Sequence, residues 1–306
     1  MIAVGGAEPA SESARTIVFS HANGFPAGTY RALFECWRQA GYRVVALPKF
    51  GHDERFPVTS NWPHLRDQLI HFVDAESVAP AYFVGHSLGG YLSLLAAARR
   101  PDLALGVVLL DSPLLPQWMA RAVQVGKAFG VGERFSPGRV SKRRRQQWPS
   151  IEAATQHFAS KPAFARWALG VLDDYLACGL EGEGAARHLS FGRDIETAIY
   201  NTLPHHFLRV LRTHPLRCPV AFVGGRDSEE LRLVGLRETR RLTHGRLTML
   251  PGSHLFPLEN PQGTAGAVQD WLASFEAART NARTNAQTNA QTNAQTNGRS
   301  HATPRL

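Results

Sequence analysis

The 306-residue sequence has little of what marks secreted, membrane-spanning or metal-binding proteins. Its three cysteines, Cys36, Cys178 and Cys218, are far apart, match no metal-ligand spacing and cannot all pair, which indicates reduced thiols. No stretch approaches the roughly 18 apolar residues of a membrane span, and residues 1–14 lack a cationic segment followed by a long apolar run. We therefore expect a cytoplasmic protein without a membrane span.

Signatures of bound cofactors are also missing. There is no G-x-G-x-x-G pattern and no phosphate-binding loop, so no nucleotide cofactor is expected. His52, Asp53 and Glu54 are potential metal ligands, but adjacent residues in one loop do not supply three convergent ligands. We predict that the protein uses neither a cofactor nor a metal.

Positive charge is the extreme feature of the composition. The net charge is +9 and the isoelectric point is about 10.0, with scattered arginines and one dense run, Lys142-Arg143-Arg144-Arg145. A nucleic-acid site would usually add interleaved aromatic residues or a known module, and the sequence has neither. We interpret the charge as a solvated basic face and expect a small-molecule substrate, not a nucleic acid, as the partner.

Short apolar runs alternate with segments of helical periodicity along most of the chain. This alternation predicts an α/β protein with a doubly wound, mostly parallel sheet, whose core comprises residues 15–113 and 204–278. Ligands of such sheets bind at the carboxyl ends of the strands. The apolar runs are residues 15–20, 43–47, 82–84, 106–110, 219–223 and 246–250.

The alternation stops between residues 114 and 203, which have several helical stretches, many aromatic residues and no clear strands. An insertion of this size between two sheet strands predicts a helical cap over the strand ends, with a largely apolar pocket lining. Residues 1–14 are expected to be flexible. Residues 279–306 consist largely of Asn-Ala-Gln-Thr repeats and are expected to be disordered, because they offer almost no apolar surface to bury.

A candidate nucleophile lies in the segment Gly85-His86-Ser87-Leu88-Gly89, between a predicted strand and a predicted helix. A serine at the tip of such a tight turn stands clear of the backbone, and the flanking glycines avoid collisions with the neighbouring elements. His86, inside the turn, is expected to point into the fold. The pentapeptide is common, but its strand-turn-helix context makes Ser87 the candidate nucleophile.

Two further strand ends supply the partners that a serine nucleophile needs. His254 follows the last strand and can act as a general base, and Asp227 follows the strand before it and can orient the imidazole. The order Ser87, Asp227, His254 is that of the α/β-hydrolase arrangement. We predict these three residues as the catalytic triad.

From Thr16 to Ala278 the sequence resembles a capped member of the α/β-hydrolase superfamily. The resemblance rests on residues 21–26, 85–89, 224–227 and 252–254, with Glu259 and Pro261 beyond. It implies an oxyanion hole formed by the backbone N–H groups of Phe25 and Leu88. Because the loop at residues 21–26 has two extra residues, the first donor stays open between Asn23, Gly24 and Phe25.

Two features depart from the pattern of this superfamily. Some relatives place the catalytic acid at the position of Asp111, but Asp111-Ser112-Pro113 has the composition of a turn, so Asp227 is preferred. Only about fifteen residues precede Thr16, so the antiparallel strand pair that usually begins the sheet is expected to be truncated. The pair His205-His206 could line the pocket, but a structural or solvated role is favoured.

The resemblance implies a cofactor-free serine hydrolase that cleaves an ester or related acyl bond through an acyl-enzyme. Carbon–carbon bond hydrolysis by the same triad is an alternative, for which arginines of the cap could hold an acidic substrate. A ligand-binding protein on a hydrolase scaffold is a further alternative. The natural substrate, its acyl-chain length and the oligomeric state are not determined by the sequence.

Overall fold

The computed structural model describes residues 15–129, 138–183 and 186–299. Six parallel strands form its central sheet, in the order β2-β1-β3-β4-β8-β9. Their alternating connections confirm the predicted doubly wound fold. The strands are β1 (Thr16–Ser20), β2 (Arg43–Ala46), β3 (Ala81–His86), β4 (Ala104–Leu110), β8 (Val220–Gly225) and β9 (Leu247–Leu250).

Helices cover both faces of the sheet, since alternate residues of each buried strand point to opposite sides. One face packs against α1 (Arg31–Gln39) and α14 (Pro261–Arg299), through residues such as Trp37 and Phe275. The other packs against α2 (Pro63–Ala75), α3 (Leu88–Arg99) and α10 (Phe207–Thr213). The short helices α11 (Glu229–Val234), α12 (Arg237–Leu242) and α13 (Phe256–Glu259) complete the core.

Residues 114–203, called the cap below, lie between β4 and β8. In its described part the cap contains six helices, in keeping with the predicted helical cap, and also a small antiparallel sheet of order β5-β7-β6 that the sequence did not indicate. These strands have only two or three residues, too few to show a periodic pattern. The elements are α4 (Gln117–Ala128), α5 (Gly138–Ser141), β5 (Gln147–Trp148), α6 (Ile151–Ala159), α7 (Pro162–Ala165), α8 (Val171–Gly179), β6 (Leu180–Glu181), β7 (Arg187–Leu189) and α9 (Arg193–Asn201).

The cap packs on the loops at the carboxyl ends of the core strands. Helix α8 contacts the 3-10 helix Ala27–Tyr30, and its Asp174 accepts a 2.6 Å hydrogen bond from Arg31 at the start of α1. The backbone N–H of Ala168 donates to the carbonyl oxygen of Leu258, close to the last strand end. Any pocket between cap and core therefore faces the edge where ligands of this fold class bind.

The C-terminal segment differs from its prediction. Helix α14 continues through the Asn-Ala-Gln-Thr repeats to Arg299, where disorder was expected from residue 279 onwards. Nucleation is the costly step of helix formation, and the first turns of α14 are already held by packing of Val268 and Leu272 on the sheet. Each repeat then adds alanine and glutamine, which favour helix, together with asparagine and threonine, which favour it less. Residues 1–14 and 300–306 lie outside the described range.

No helix in the described ranges is both long and apolar enough to cross a membrane.

Candidate active site

Ser87 occupies a strained turn between β3 and α3. Its backbone has φ 51° and ψ −114°, outside the regions that side-chain-bearing residues usually adopt. A Cβ on Gly89 would lie 1.9 Å from the carbonyl oxygen of Ser20, and one on Gly85 would lie 2.3 Å from the backbone of Gly89. Only glycine fits at either position, so the turn has the close backbone approach expected of a nucleophile elbow.

The hydroxyl of Ser112 fixes this turn to the neighbouring strand end. Its Oγ lies 2.9 Å from the carbonyl oxygen of Ser87 and 3.0 Å from that of Leu110. Strands β3 and β4 pair in register with His86 opposite Leu110, so Ser87 and Asp111 follow directly at adjacent strand ends. The sheet thereby brings Ser87 and Asp111 to one edge.

Asp111 contacts the imidazole of His254. Asp111 Oδ2 accepts a 2.7 Å hydrogen bond from His254 Nδ1, and the Asp111 side chain is fully buried. The carboxylate also accepts from the backbone N–H of Gly225 at 3.0 Å and from the Ser228 hydroxyl at 2.5 Å. Asp111 adopts φ 45°, and this uncommon backbone conformation accompanies the inward direction of its side chain.

Asp227, the residue predicted to orient His254, does not contact it. Its side chain is 64% exposed and lies 3.6 Å from the guanidinium of Arg166. The physical reason lies in the following turn, because Ser228 caps helix α11 by accepting from the Leu231 N–H. Asp227 precedes this cap and is bonded through its N–H to the Gly252 carbonyl, with its carboxylate in solvent. The carboxylate that the structure brings to His254 is therefore that of Asp111, not the predicted Asp227.

Glu230 is a neighbour of His254 that the sequence analysis missed. Its Oε2 lies 3.7 Å from His254 Nδ1, although its side chain is half exposed. Burial acts to lower the pKa of His254, but the hydrogen bond and charge of Asp111, together with the charge of Glu230, raise that pKa above its usual value. The only sequence signal was the acidic pair Glu229-Glu230 after Ser228, which is typical of a helix N-terminus.

The loop that carries His254 is held by Glu259. The Glu259 carboxylate accepts from the Ser253 N–H at 3.0 Å and from the Ser253 hydroxyl at 2.5 Å. Gly252 has φ 127°, where a side chain would be strained, and a Cβ there would lie 2.8 Å from the same carboxylate. These contacts fix the backbone on either side of the imidazole.

His86 points into the fold, as its position in the elbow predicted. Its Nε2 donates to the His254 carbonyl oxygen at 2.9 Å, and its Nδ1 accepts from the Tyr30 hydroxyl at 2.8 Å. Burial, followed by the nearby His254, holds the pKa of His86 well below its usual value, so the ring is neutral and can make both bonds. The Tyr30 oxygen in turn accepts from the Ala22 N–H at 3.3 Å.

The loop at residues 21–26 presents backbone N–H groups beside the elbow. The Phe25 N–H donates to the Ala22 carbonyl at 3.2 Å, so the expected oxyanion donor is already engaged. The N–H groups of Asn23, Gly24 and Leu88 donate to no acceptor in the described part of the chain. The free amides thus favour Asn23 or Gly24 over Phe25 as the first donor and leave Leu88 available as the second.

Comparison with known proteins assigns the family. A model of the alpha/beta hydrolase family matches residues 17–267, which is most of the chain. The chain belongs to the alpha/beta hydrolase family. Among curated relatives, monoglyceride lipase of Rattus norvegicus is 32% identical over 115 residues, covering 35% of this chain and 38% of the relative. Pheophytinase of Arabidopsis thaliana is 45% identical over 53 residues, covering 17% and 10%.

Solved structures share the fold of this alpha/beta hydrolase. E-2-(acetamidomethylene)succinate hydrolase superposes with a TM-score of 0.64 at 21% identity, covering 85% of this chain and 91% of that one. The thioesterase domain from the curacin biosynthetic pathway has a TM-score of 0.64 at 18% identity, covering 85% and 92%. By contrast, the chain spans only about 38% of the length of the monoglyceride lipase that it matches in sequence.

A cavity of about 1040 Å³ lies in the cap of this alpha/beta hydrolase and reaches the loop at residues 21–26 through Phe25. Aromatic residues of the cap line part of it, as the sequence predicted, but cationic side chains line much of the rest. Ser87 and His254 are not among the lining residues. The lining residues other than arginine and lysine are Phe25, Val140, Ser141, His157, Phe158, Phe164, Glu196 and Tyr200.

Two other histidine segments singled out in the sequence have structural contacts. His52 accepts from the Gly192 N–H at 2.9 Å and so connects the core to the cap. The His205 N–H donates to Asn61 at 3.0 Å, and neither His205 nor His206 lines the cap cavity.

The spacing of Asp111, Glu230 and His254 is compatible with a cation, since their ligand atoms lie within 4.8 Å of one another. However, Asp111 Oδ2 already accepts hydrogen bonds from His254 and Ser228, which is the pattern of an orienting carboxylate.

Proposed function

We propose that the protein is a serine hydrolase that cleaves an ester or related acyl bond through an acyl-enzyme. Ser87 is the nucleophile, His254 the general base and Asp111 the residue that orients His254. The proposal rests above all on the 2.7 Å hydrogen bond from His254 Nδ1 to the buried carboxylate of Asp111, one strand away from a serine on a strained elbow. It needs no cofactor.

The proton moves along one route in this mechanism. Asp111 accepts the hydrogen bond of His254 Nδ1–H and stays ionised, so the Nε2 lone pair of the oriented imidazole takes the proton of Ser87 as its oxygen attacks the acyl carbon. Protonated His254 then gives that proton to the leaving alcohol, and the acyl group stays on Ser87. In the second half, His254 takes a proton from water, the resulting hydroxide attacks the acyl carbon, and Ser87 recovers its proton.

The negative charge that forms on the acyl oxygen is held by backbone amides. Leu88 N–H lies at the start of α3, where the helix dipole also favours negative charge. The second donor comes from Asn23 or Gly24, whose amides have no acceptor within the described residues. Loss of one such donor typically costs about 10²–10³ in rate.

The substrate is proposed to be a small molecule with an apolar portion. The aromatic side chains in the cap cavity support this, since Phe25, Phe158 and Phe164 offer apolar surface next to the oxyanion loop. The local similarity to monoglyceride lipase agrees with an acyl ester as the substrate class.

The test is labelling with a fluorophosphonate probe together with hydrolysis of short and medium p-nitrophenyl esters. Wild type should be labelled and active, and Ser87→Ala should lose both properties. Ser93→Ala is a matched control, because Ser93 lies on the same helix with a buried hydroxyl that has no partner among the described residues. Labelling of Ser87 without turnover of any ester would instead favour a ligand-binding protein on a hydrolase scaffold.

Carbon–carbon bond hydrolysis by the same residues is the second candidate. The cationic side chains of the cap cavity favour it, because substrates of that reaction type carry an acidic group beside a diketone. Cleavage of a β-diketo acid into a carboxylic acid and a ketone, with no cleavage of simple esters, would select this reaction over ester hydrolysis.

A further inference from the structure

One wall of the cap cavity carries an excess of positive charge. Five cationic side chains line it, against the single carboxylate of Glu196. The cationic residues are Arg139, Arg143, Arg144, Arg145 and Lys161. Three of them, Arg143, Arg144 and Arg145, belong to the dense basic run of the sequence just after α5, and Arg139 lies within α5. The run therefore faces a cavity as well as solvent.

The one carboxylate is already neutralised. Arg144 Nη1 donates to Glu196 Oε2 at 2.9 Å, and both side chains are largely buried, with exposures of 13% and 8%. Arg144 also hydrogen-bonds the Tyr175 hydroxyl. This pair needs no further partner, and its net charge of zero leaves the other cations of the wall unbalanced.

Three cations of the wall have no acidic partner in the described part of the chain. Arg143, Arg145 and Lys161 form no ion pair there. Arg145 donates to the carbonyl oxygen of Gln147 at 2.8 Å and lies over the ring of Trp148. Lys161 lies 5.7 Å from the ring centre of Phe158. Aromatic faces and one neutral carbonyl hold Arg145 and Lys161 in place without cancelling their charge.

The excess positive charge also affects the pKa values of titratable groups beside the cavity. Burial, followed by the charge of Arg144, lowers the pKa of Lys161. Burial, followed by Lys161, Arg145 and Arg144, lowers the pKa of His157, which also lines the cavity. The Nε2 atom of His157 is buried, and no described residue hydrogen-bonds it. An anion in the cavity would relieve the repulsion among these groups.

The cavity also reaches the loop at residues 21–26, which carries one of the proposed oxyanion donors. Phe25 lines it, and a Cβ on Gly24 would lie 3.0 Å from the Glu196 carboxylate and 3.2 Å from Arg144 Nη1. The oxyanion loop thus forms part of the cavity floor. Under the proposed function, a ligand that reached from Ser87 into this cavity would pass Phe25 and have its far end among the cations.

We propose that the cap cavity binds a carboxylate on the substrate at the end remote from the scissile bond, through Arg143, Arg145 and Lys161. The substrate is then an acyl ester with a free acid at its other end and an apolar chain between the two. The apolar chain contacts Phe158 and Phe164. This assignment rests on the proposed serine hydrolase function and specifies its substrate class.

The test compares two matched series of p-nitrophenyl esters. One series consists of mono-p-nitrophenyl esters of straight-chain dicarboxylic acids of increasing length, and the other carries a methyl ester in place of the free acid. Wild type should prefer the acid by roughly tenfold or more in kcat/KM at the best chain length, and added salt should reduce this preference. Equal rates for both series at every length would overturn the proposal.

Two variants locate the preference. Arg143→Gln combined with Arg145→Gln should lower kcat/KM for the acid series roughly tenfold and change the methyl ester series by less than about twofold. Lys161→Gln should act in the same direction. Lys142→Gln is the control, because Lys142 belongs to the same basic run but does not line the cavity. Equal losses in both ester series, or the same loss in the control, would contradict the assignment.

A binding measurement separates this proposal from the hydrolase function. In Ser87→Ala, a straight-chain dicarboxylic acid should bind in calorimetry and shift the imidazole resonances of His157, and the arginine double variant should abolish both effects. If wild type cleaves no ester but this binding is present, the carboxylate site stands and the hydrolase function fails. If esters are cleaved but no dicarboxylate binds, the carboxylate site fails and the hydrolase function stands.

Discussion

His86 donates its Nε2 proton to the backbone carbonyl oxygen of His254 at 2.9 Å. The residue before the proposed nucleophile thus holds the main chain of the proposed base. Through Tyr30 the same imidazole is connected to Ala22, in the loop that carries a proposed oxyanion donor. A chain of hydrogen bonds through two buried side chains, His86 and Tyr30, therefore joins the three parts of the proposed site.

Replacement of Tyr30 by phenylalanine tests this chain. Tyr30→Phe leaves His86 Nδ1 and the Ala22 N–H without their partner, so we expect the free energy of unfolding to fall by roughly 1–3 kcal/mol. Because the loop that carries His254 is then held less firmly, kcat for ester hydrolysis should fall by roughly tenfold while KM changes by less than about twofold.

Tyr82→Phe provides the matched control for this change. Tyr82 is as buried as Tyr30, at 1% exposure, but its hydroxyl bonds Glu276 at the far side of the core. The control should lose stability without a change in kcat. If Tyr30→Phe and Tyr82→Phe affect kcat equally, the hydrogen-bond chain does not position the site.

Substitution by asparagine distinguishes the two candidate acids, Asp111 and Asp227. Asp111→Asn keeps an acceptor for the Gly225 N–H but presents an amide to His254, so the imidazole loses its orienting charge and its correct tautomer. We expect a loss of roughly 10³–10⁴ in kcat. Asp227→Asn changes only an exposed carboxylate near Arg166 and should stay within about twofold of wild type. Steady-state kinetics of both variants on one ester decides between the two residues. A larger loss of kcat in Asp227→Asn than in Asp111→Asn would identify Asp227 as the acid.

The pH dependence of activity follows from the pKa of His254. The imidazole must be neutral to accept the proton of Ser87, so kcat/KM should fall as the pH drops through the pKa of His254. Because Asp111 and Glu230 raise that pKa, the midpoint of the acid limb should lie above 6.5, the usual value for histidine.

Glu230→Gln should move this midpoint down by roughly half a pH unit, since it removes a half-exposed negative charge near Nδ1. Glu229→Gln is the control, because Glu229 is 89% exposed and pairs with Arg232. The full pH–rate profiles of the three proteins give the midpoints, and a shift of equal size in the control would assign the effect to general surface charge.

The sheet and two residues of the proposed triad were accessible to sequence reasoning because their signals are local. Buried parallel strands have nearly continuous apolar runs, and Ser87 lies in a glycine-flanked turn whose steric need is visible in five residues. His254 follows the last strand directly. For such residues, position along the chain is enough to predict the sheet edge that they occupy.

The choice between Asp111 and Asp227 depends on contacts that no local pattern contains. Both follow a buried strand, and only the fold determines which carboxylate points inward. The positive φ of Asp111 and the capping role of Ser228 decide it, together with the Gly225 N–H that Asp111 accepts. Asp111-Ser112-Pro113 was expected to be a turn, but the chain only bends at Asp111 and runs on irregularly through Ser112 and Pro113.

The contact between the cap and the oxyanion loop has a consequence for how such enzymes diversify. Asn23 Nδ2 donates to the Glu196 carbonyl oxygen at 3.0 Å, and Gly24 packs against Glu196 and Arg144. Residues of the inserted segment therefore contact the loop that carries a proposed oxyanion donor. Cap and core are not interchangeable modules here, and a cap grafted from a relative would change turnover as well as selectivity unless it reproduced these contacts.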